Sequence, residues 1–429
     1  MNKIFFILMI VVIIILAVFA PREIEEKQLG YPRLAAVIHP CVDDSSIVEN
    51  LARYDLIVMH RQHTTNEGRC NHSQIEYLRE LNPNIIILVH VPQSYIVYPI
   101  NGLPNENDIN YPLLSKLTFF GEQEELQVLT DINGDVIVTD RPTWKEATTD
   151  ITSYCPSNEF GDWNEQITTF TSDELLSSGL WDGIFWDSLY DSISWYNKWI
   201  DYPIDLDHDG LPDDPSWQNA QWKAGVEDFY VKAREKMGND TIMIGNGRNY
   251  HYEYGNGMMI ELFYNKPWID QLEYTLDWEK NGMEPNYNFI VAQFNPNSGY
   301  RYRRFVFGTT LLTDSYYEMA NNAYSEMWWL DEFAVDLKTG EAVLPTKENN
   351  YKGLHYLGMS LGNATEVDGV WRREFDNGIV LVNPTNSIKH VPLNGTYNKI
   401  KGTQDSVNNG LHVAGSHTMM MQDAIVLLK

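Results

Sequence analysis

Seven polar residues each stand at or near the end of a short apolar run in this sequence. They are His39, His60, His90, Asp187, Asn246, Glu261 and Gln293. The carboxyl ends of parallel strands meet on one face of an α/β fold, and ligands bind on that face. Two members of the set, Asp187 and Glu261, carry carboxyl groups. Hydrolysis of a glycosidic bond requires two such groups, one protonated and one ionised. We therefore predict that Asp187 and Glu261 are catalytic.

The surroundings of the two carboxyls suggest different roles. Asp187 ends the run GIFWD, where it would present an ionised nucleophile or base to the sugar. Glu261 follows the apolar run Met258–Ile260, and an apolar environment raises the pKa of a carboxyl toward the value that a general acid needs. The roles could also be exchanged. A competing interpretation is that Asp187 or Ser188 only caps a following helix.

Further residues are predicted to bind substrate, because polar side chains bond sugar hydroxyls and aromatic rings pack on sugar faces. These are His39, His60, His90, Trp186, Asn246, Arg248, Gln293, and Asp331 and Glu332 of the WWLDEF segment. Asp331 and Glu332 could equally begin a surface helix. Two other functions stay open: the three histidines and Asp187 could form a zinc site of a metal-dependent hydrolase, or the protein could bind carbohydrate without cleaving it.

The segment DLDHDGLPDD, residues 205–214, has the composition of a calcium loop. Its carboxylates are those of Asp205, Asp207, Asp209, Asp213 and Asp214, and Gly210 allows a sharp turn. Calcium prefers such oxygen ligands, although the twelfth position of an EF-hand loop is Ser216 here. We predict a structural Ca²⁺ site of another type at the edge of the cleft. A solvated acidic loop is the alternative.

Eight apolar runs provide the elements that would position these residues. They are residues 33–39, 54–60, 84–91, 183–187, 241–246, 258–263 and 288–294, and a last run within 309–319. Helical segments separate several of them, which predicts a (β/α)8 TIM barrel over residues 31–345. A doubly wound sheet is the alternative. No glycine-rich phosphate loop follows the first run, so we expect no organic cofactor.

The two ends of the chain differ from this central part in residue composition and pattern. Residues 346–429 contain short runs punctuated by Asn, Gly and Pro, which predicts a small C-terminal antiparallel β domain, sandwich-like in form. Residues 1–20 include an uncharged apolar stretch after Lys3, typical of a signal peptide or a membrane anchor, and residues 21–30 would be a tether. We expect an extracellular or cell-surface protein that meets the membrane only through this segment.

Composition narrows the class of partner. The net charge of −28 disfavours phosphate backbones, so we expect no nucleic-acid partner. The 13 Trp and 25 Tyr residues suit a carbohydrate cleft, although core packing accounts for many of them. Cys41 and Cys70 could pair outside the cell, or all three cysteines could be unpaired thiols. The oligomeric state does not follow from composition.

The segments GIFWDSLYD, DLDHDGLPDD, GNGRN, RYRRFVFGTTLLTDSYY and WWLDEF occur in this order along the chain. In this respect the sequence resembles hypothetical glycosyl hydrolase family 15, over most of residues 33–340. The closing segments REFDNGIVLVNP and IVLLK also resemble the β domains that follow many glycosidase barrels. The resemblance implies a (β/α)8 fold and sugar hydrolysis, but it does not indicate which carboxyls are catalytic.

Overall fold

The structure is a computed structural model that describes residues 29–64, 70, 72–98, 127–140, 145–194, 203–261, 263, 266–293, 299–321 and 324–429. The predicted signal peptide or anchor and most of the predicted tether therefore lie outside the described residues. Within the described ranges, no helix is both long and apolar enough to cross a bilayer.

Eight parallel strands form a barrel. They are β1 (Ala35–Ile38), β2 (Leu56–His60), β3 (Ile86–Pro92), β7 (Gly183–Asp187), β8 (Ile242–Asn246), β9 (Gly257–Ile260), β10 (Phe289–Gln293) and β11 (Tyr316–Ala320), hydrogen-bonded in that order. The ring closes where the Tyr317 N–H donates to the Arg33 carbonyl at 2.9 Å, and Leu34 and Tyr317 pair in parallel. The predicted barrel is confirmed.

The strands are apolar on both sides because each is covered on both sides. Alternate residues such as Val58, Phe185 and Phe289 fill the barrel interior. Their neighbours, including Ile57 and Trp186, pack outward on the helices. Burial on both faces explains why the strands appear in the sequence as nearly continuous apolar runs instead of an alternation of apolar and polar residues.

The described residues between the barrel strands include six α-helices: α1 (Ser45–Leu51), α2 (Ser73–Leu81), α3 (Trp163–Phe170), α4 (Pro215–Met237), α5 (Trp268–Asn281) and α6 (Gly299–Leu311). Three of them begin at an aspartate whose side chain accepts backbone N–H groups of the first turn, namely Asp44, Asp162 and Asp214. Residues 247–256 connect β8 to β9 without a helix. The last predicted run is divided, because α6 ends at Leu311 and β11 begins only at Tyr316.

A small antiparallel sheet is inserted between β3 and α3. It consists of β4 (Tyr95–Tyr98), β5 (Val138–Asp140) and β6 (Lys145–Thr148), in the order β4-β6-β5. It begins three residues after the end of β3, so it stands at the carboxyl ends of the barrel strands. The inserted sheet accounts for the interruption of the strand–helix pattern in the sequence.

The C-terminal part forms one six-stranded antiparallel sheet, in the order β14-β15-β16-β19-β17-β18. Its strands are β14 (Thr365–Val367), β15 (Val370–Phe375), β16 (Gly378–Asn383), β17 (Lys389–Lys399), β18 (His412–Met419) and β19 (Asp423–Leu428). The six strands belong to one continuous hydrogen-bonded sheet, and the sandwich-like form of the domain stays a prediction. Leu393, Tyr397 and Val413 of β17 and β18 cover the face of β16 and β19 that a second sheet would cover.

The C-terminal sheet packs directly on helix α6 of the barrel. The Arg304 guanidinium donates to the Asp423 carboxylate at 2.7 Å and to the Ala424 carbonyl at 2.7 Å. Gly308 permits this approach, because a Cβ atom on it would stand 2.3 Å from the Ala424 Cβ. The connecting hairpin, β12 (Val335–Asp336) and β13 (Glu341–Ala342), also bonds the C-terminal part, where the Ala342 N–H donates to the Lys401 carbonyl.

One disulfide joins Cys41 and Cys70, and Cys155 is a buried free thiol. Cys41 follows the end of β1, and Cys70 lies between β2 and α2. The bond therefore connects the segments that leave the first two barrel strands on the face where the carboxyl ends of the strands emerge. Of the two possibilities left open by the sequence, the structure contains the paired one.

Candidate active site

A cavity opens at the carboxyl ends of the barrel strands. It encloses about 560 Å³ of space not occupied by protein atoms, part of which is open solvent. Its lining residues are Val37, His39, His90, Tyr95, Glu146, Phe185, Asp187, Ser188, Tyr190, Asn246, Met259, Glu261 and Tyr324. Five of the seven strand-end residues predicted from the sequence thus share one cavity.

Asp187 stands at the end of β7 with both carboxylate oxygens engaged. Oδ1 accepts from Asn246 Nδ2 and from the Ser188 N–H, both at 2.9 Å. Oδ2 accepts from the Tyr95 hydroxyl at 3.0 Å and lies 3.5 Å from His90 Nε2. Ser188 has φ +64°, a left-handed conformation that is costly for a residue with a side chain and that occurs preferentially at functional sites. The next described α-helix, α4, begins 28 positions later and is capped by Asp214.

The same contacts determine the protonation state of Asp187. Burial raises the pKa of this carboxyl, but the hydrogen bonds from His90 and Asn246 and the charge of His90 outweigh that effect, so the pKa is lowered to about 2. Asp187 is therefore ionised throughout the neutral range, as a nucleophile or base must be.

Glu261 follows β9 directly, and its pKa is shifted in the opposite direction to that of Asp187. Its Oε1 accepts from the Tyr324 hydroxyl at 2.6 Å and from Gln293 Nε2 at 3.2 Å, and its Oε2 accepts from Asn246 Nδ2 at 3.1 Å. Burial raises the pKa of Glu261; the Tyr324 hydrogen bond opposes this, and the negative charge of Asp187 adds to it, with a net rise. A proton is thus held more tightly here than on an ordinary glutamate.

Asn246 links the two carboxyls. One nitrogen, Nδ2, donates to Oδ1 of Asp187 at 2.9 Å and to Oε2 of Glu261 at 3.1 Å, so these oxygens are no more than about 6 Å apart. The three residues end or follow the consecutive strands β7, β8 and β9, which are paired in register. The Asn246 side-chain amide therefore lies between the Asp187 carboxyl, whose pKa is lowered, and the Glu261 carboxyl, whose pKa is raised.

In the part of the chain that the structure describes, the three strand-end histidines are not grouped as metal ligands. The rings of His39 and His90 are 4.9 Å apart, and burial followed by the charge of His90 lowers the pKa of His39 to about 3. Burial also lowers the pKa of His60. Among the described residues, the side chains that bring three potential ligand atoms together are those of Asp205, Asp207 and Asp209, and no histidine belongs to such a group. The geometry therefore gives no support to the zinc alternative.

Several residues of the site were not identified from the sequence, among them three that line the cavity and Glu318 within the barrel. Tyr95 and Glu146 come from the inserted sheet, and Tyr324 follows the last barrel strand by four positions. Glu318, in β11, points into the barrel, is 2 % exposed and accepts the Val37 N–H at 2.7 Å. Burial, opposed by this bond and assisted by the charge of Glu261, raises the pKa of Glu318 to about 8. Tyr324 could have been found from the sequence, because it ends the segment MANNAY (residues 319–324), which contains polar residues just beyond a barrel strand.

The substrate-binding assignment is corrected for Trp186, Asp331 and Glu332. Trp186 is 0 % exposed and packs edge-on against Phe229, since its side chain points away from the barrel interior. The other two residues contact the C-terminal part and not the cavity. Asp331 Oδ2 accepts the backbone N–H groups of residues 403 and 404, and Glu332 Oε1 accepts from Asn408 Nδ2 at 2.8 Å.

Three further residues predicted to bind substrate lie outside the cavity lining. Arg248 lies in the loop after β8, with its guanidinium 4.5 Å from the centre of the Tyr274 ring. Gln293 acts on the site indirectly, through its bond to Glu261. His60 ends β2, but it is not among the residues that line the cavity.

The acidic loop brings three of its five predicted ligands together. One ligand oxygen from each of Asp205, Asp207 and Asp209 lies within 4.8 Å of the others. Asp213 instead accepts the N–H of residue 206 at 2.6 Å, and Asp214 caps helix α4. Asp214 is therefore removed from the predicted ligand set, and calcium binding by the loop stays a prediction.

If the loop binds calcium in the folded state alone, added Ca²⁺ should raise the melting temperature of chelator-treated protein, by an amount equivalent to about 2.7 kcal/mol at a concentration 100-fold above Kd. Differential scanning calorimetry with CaCl2 and with EDTA measures this shift. Asp207→Asn should weaken the response, whereas Asp173→Asn, at an exposed helical position, should leave it intact. A melting temperature that is insensitive to calcium in metal-free protein would contradict the prediction.

Comparison with known proteins identifies the family to which the sequence is similar. The family model called hypothetical glycosyl hydrolase family 15 matches residues 137–379. No curated protein matches the sequence. Similar solved structures include the glycoside hydrolase domain of a PelA variant from Pseudomonas aeruginosa, with 12 % identity, 69 % of this chain and 97 % of that chain covered and a TM-score of 0.40.

A GH27 β-L-arabinopyranosidase from Geobacillus stearothermophilus has 9 % identity, with 96 % and 98 % of the two chains covered and a TM-score of 0.47. A trehalulose synthase mutant, MutB, has 10 % identity, with 92 % and 99 % covered and a TM-score of 0.48. At these scores the likeness carries no argument about substrate or mechanism.

Proposed function

This chain belongs to hypothetical glycosyl hydrolase family 15, and from that premise we propose that it cleaves O-glycosidic bonds of an oligosaccharide or polysaccharide with Asp187 and Glu261 as the reacting carboxyls. The observation that carries the proposal is the pair itself. The two groups share the donor Asn246, yet the pKa of one is lowered and that of the other is raised. Opposite protonation states at one cavity are what this hydrolysis requires.

In the first step, Glu261 donates its proton to the departing glycosidic oxygen while an Asp187 oxygen attacks the anomeric carbon. The C–O bond to the leaving group breaks, and an ester between the sugar and Asp187 forms. Tyr95 and His90 hold the Asp187 carboxylate in place before attack. As positive charge develops on the sugar ring, the negative charge of the attacking oxygen stabilises it.

In the second step, the Glu261 carboxylate accepts a proton from water, the water oxygen attacks the same carbon, and the bond to Asp187 breaks. Both carboxyls thereby return to their initial protonation states. Tyr324 and Gln293 donate to Glu261 Oε1 and orient the group for both transfers. These two residues are positioning residues, since they act through Glu261.

The separation of the carboxyls favours retention of configuration. Retaining glycosidases hold the two groups about 5–5.5 Å apart, and inverting ones about 6.5–9.5 Å apart to admit a water. The nearest oxygens here are no more than about 6 Å apart, because both contact one nitrogen. We therefore expect the product first formed to have the anomeric configuration of the substrate.

A screen of aryl glycosides, followed by ¹H NMR of the best substrate during the first minutes of hydrolysis, tests both the activity and its stereochemistry. An early signal from the retained anomer supports the double displacement. An early signal from the inverted anomer would contradict it. Saturable glycan binding without any released product would contradict the proposed hydrolysis and would favour the alternative, a noncatalytic carbohydrate-binding protein.

We also propose that the protein acts outside the cytoplasm. The apolar, uncharged residues 4–20 support export, and a disulfide such as Cys41–Cys70 persists in oxidising compartments. Cell fractionation of the full chain, compared with a variant that lacks residues 1–20, tests this. Equal recovery of both forms in the cytosol would contradict it.

A further inference from the structure

We propose that a second cleft, where the C-terminal sheet meets the barrel, binds a saccharide that carries negative charge. The cleft encloses about 900 Å³ of space not occupied by protein atoms, part of which is open solvent. It is separate from the active-site cavity, since the described linings of the two have no residue in common. The choice of a saccharide as ligand rests on the proposed function, whereas the binding itself requires neither Asp187 nor Glu261.

The cleft is formed by segments that leave the barrel at the carboxyl ends of its strands. Phe263 lines it and stands two positions after Glu261, so the Cα atoms of the two residues are no more than about 7 Å apart. The start of α5, the first two turns of α6 and Gln422, in the turn between β18 and β19, complete the described lining. A chain of sugars held here would therefore lie close to the active-site cavity.

Four aromatic side chains line the cleft, those of Phe263, Trp268, Tyr302 and Phe305. Trp268 has a fixed orientation, because its Nε1 donates to Thr309 Oγ1 at 2.9 Å and its ring packs edge-on against Trp371 of β15, with the ring centres 5.8 Å apart. The same ring is only partly buried. A fixed and accessible aromatic ring provides the apolar surface on which one face of a sugar packs.

The described lining also carries positive charge. Lys266 and Arg301 line the cleft, both side chains are exposed, and no described acidic residue belongs to the lining. No ion pair joins either cation to an acidic residue in the described part of the chain, and this includes Asp270 in the first turn of α5. The adjoining segments 264–265 and 294–298, outside the described residues, contain no acidic residue.

The carboxylate of Asp423, next to Gln422, does not cancel this charge. Arg304 donates to Asp423 Oδ1 from Nε at 3.1 Å and from Nη2 at 2.7 Å, and its Nη1 donates to Asp405. Burial raises the pKa of Asp423, and the charges of Arg304 and Arg301 oppose this rise. Three cations, with Lys266, and two carboxylates leave this region positive even when both carboxylates are ionised.

A carboxylate or sulfate on a sugar ring complements such a cleft. The guanidinium of Arg301 can bond two oxygens of the anion at once, and Lys266 adds a point charge. Helix α5 begins at the cleft without a side-chain cap, so the N–H groups of its first turn add to the positive potential. The net charge of −28 does not prevent binding, because salt screens charges beyond about 8 Å.

Isothermal titration calorimetry on the full chain carrying Asp187→Asn, which should leave the ligand uncleaved, tests the proposal. The ligands are oligosaccharides of four to six units, made of hexuronic acids or of sulfated hexoses, each compared with its carboxyl-reduced or desulfated form. At least one acidic ligand should bind about fivefold or more tightly than its neutral form, a preference within the range of two exposed ion pairs. The pair of ligand classes shows whether carboxylate or sulfate is preferred.

Two double variants of this chain locate the site. Lys266→Gln with Arg301→Gln should remove most of the preference for the acidic ligand. Lys223→Gln with Lys280→Gln removes the same charge from exposed positions outside the cleft lining and should leave the preference unchanged. Thermal unfolding of both double variants confirms that they are folded.

The proposal is wrong if no acidic ligand binds more tightly than its neutral form, or if the folded cleft variant keeps the full preference. An equal loss in both double variants would show a general effect of net charge and would overturn it as well. Displacement of the oligosaccharide by inorganic sulfate at equal concentration would overturn the choice of a saccharide. Selective binding by the cleft, with no hydrolysis of any glycoside by the wild type, would remove the proposed enzymatic function and support the cleft.

Discussion

Replacing Asp187 with asparagine is expected to reduce kcat on the order of 10³-fold or more while the protein stays folded, because the variant keeps the shape of the side chain and loses the attacking oxygen anion. Asparagine can still accept from Asn246 and from the Ser188 N–H through its carbonyl oxygen. Its amide nitrogen cannot accept from Tyr95, which leaves a stability cost of about 1 kcal/mol.

Steady-state kinetics with an aryl glycoside and thermal unfolding of the same preparations measure the two effects. Asp173→Asn makes the same chemical change at an exposed helical position and should alter neither quantity. If Asp187→Asn kept near-normal turnover, or if its whole loss tracked unfolding, the residue would be structural. The nucleophile would then be sought in Glu146, which lines the same cavity.

Replacing Glu261 with glutamine is expected to reduce kcat by about 10²- to 10⁴-fold for substrates with a poor leaving group, because no proton reaches the departing oxygen. A dinitrophenyl glycoside departs without protonation, so its first step should be much less affected. The comparison of the two substrate classes distinguishes loss of an acid from general damage to the site. Glu253→Gln serves as the matched control.

The pH profile gives an independent readout of the same residue. Glu261 must be protonated in the first step, so activity is present below its pKa and is lost as the pH rises through that value. Because the pKa of Glu261 is raised, the alkaline limb should lie above the pH expected for an ordinary glutamate. In Glu261→Gln this limb should disappear. An unchanged alkaline limb in the variant would assign it to another group, of which Glu318, with a pKa of about 8, is the first candidate.

The barrel, and the placement of Asp187 and Glu261 in one cavity, could be predicted from the sequence because both depend on short-range patterns. A strand buried on both faces must be an apolar run, and a polar residue at its end is visible without any tertiary information. Asp187 and Glu261 are of this kind. Trp186 does not reach the cavity because side chains alternate along a strand: residues 185 and 187 point into the barrel, so residue 186 points out of it.

The remaining site residues depend on long-range contacts. Tyr95 and Glu146 are 51 positions apart, and they meet only because β4 and β6 pair at the rim of the barrel. Asp331 and Glu332 look like a cleft wall beside two tryptophans, but their carboxylates bond a segment of the C-terminal part more than 70 positions away. No local pattern of residues specifies such pairings.

The spacing of the two carboxyls and the shape of the cavity wall depend on different elements of the fold. The distance between Asp187 and Glu261 is set by backbone pairing of three adjacent strands and by Asn246 between them. One wall of the cavity, which includes Tyr95 and Glu146, comes from the insertion after β3. A change in the insertion is therefore expected to alter this wall of the cavity while the separation of Asp187 and Glu261 stays the same, so the shape of the cavity and the spacing of its two carboxyls can be engineered independently.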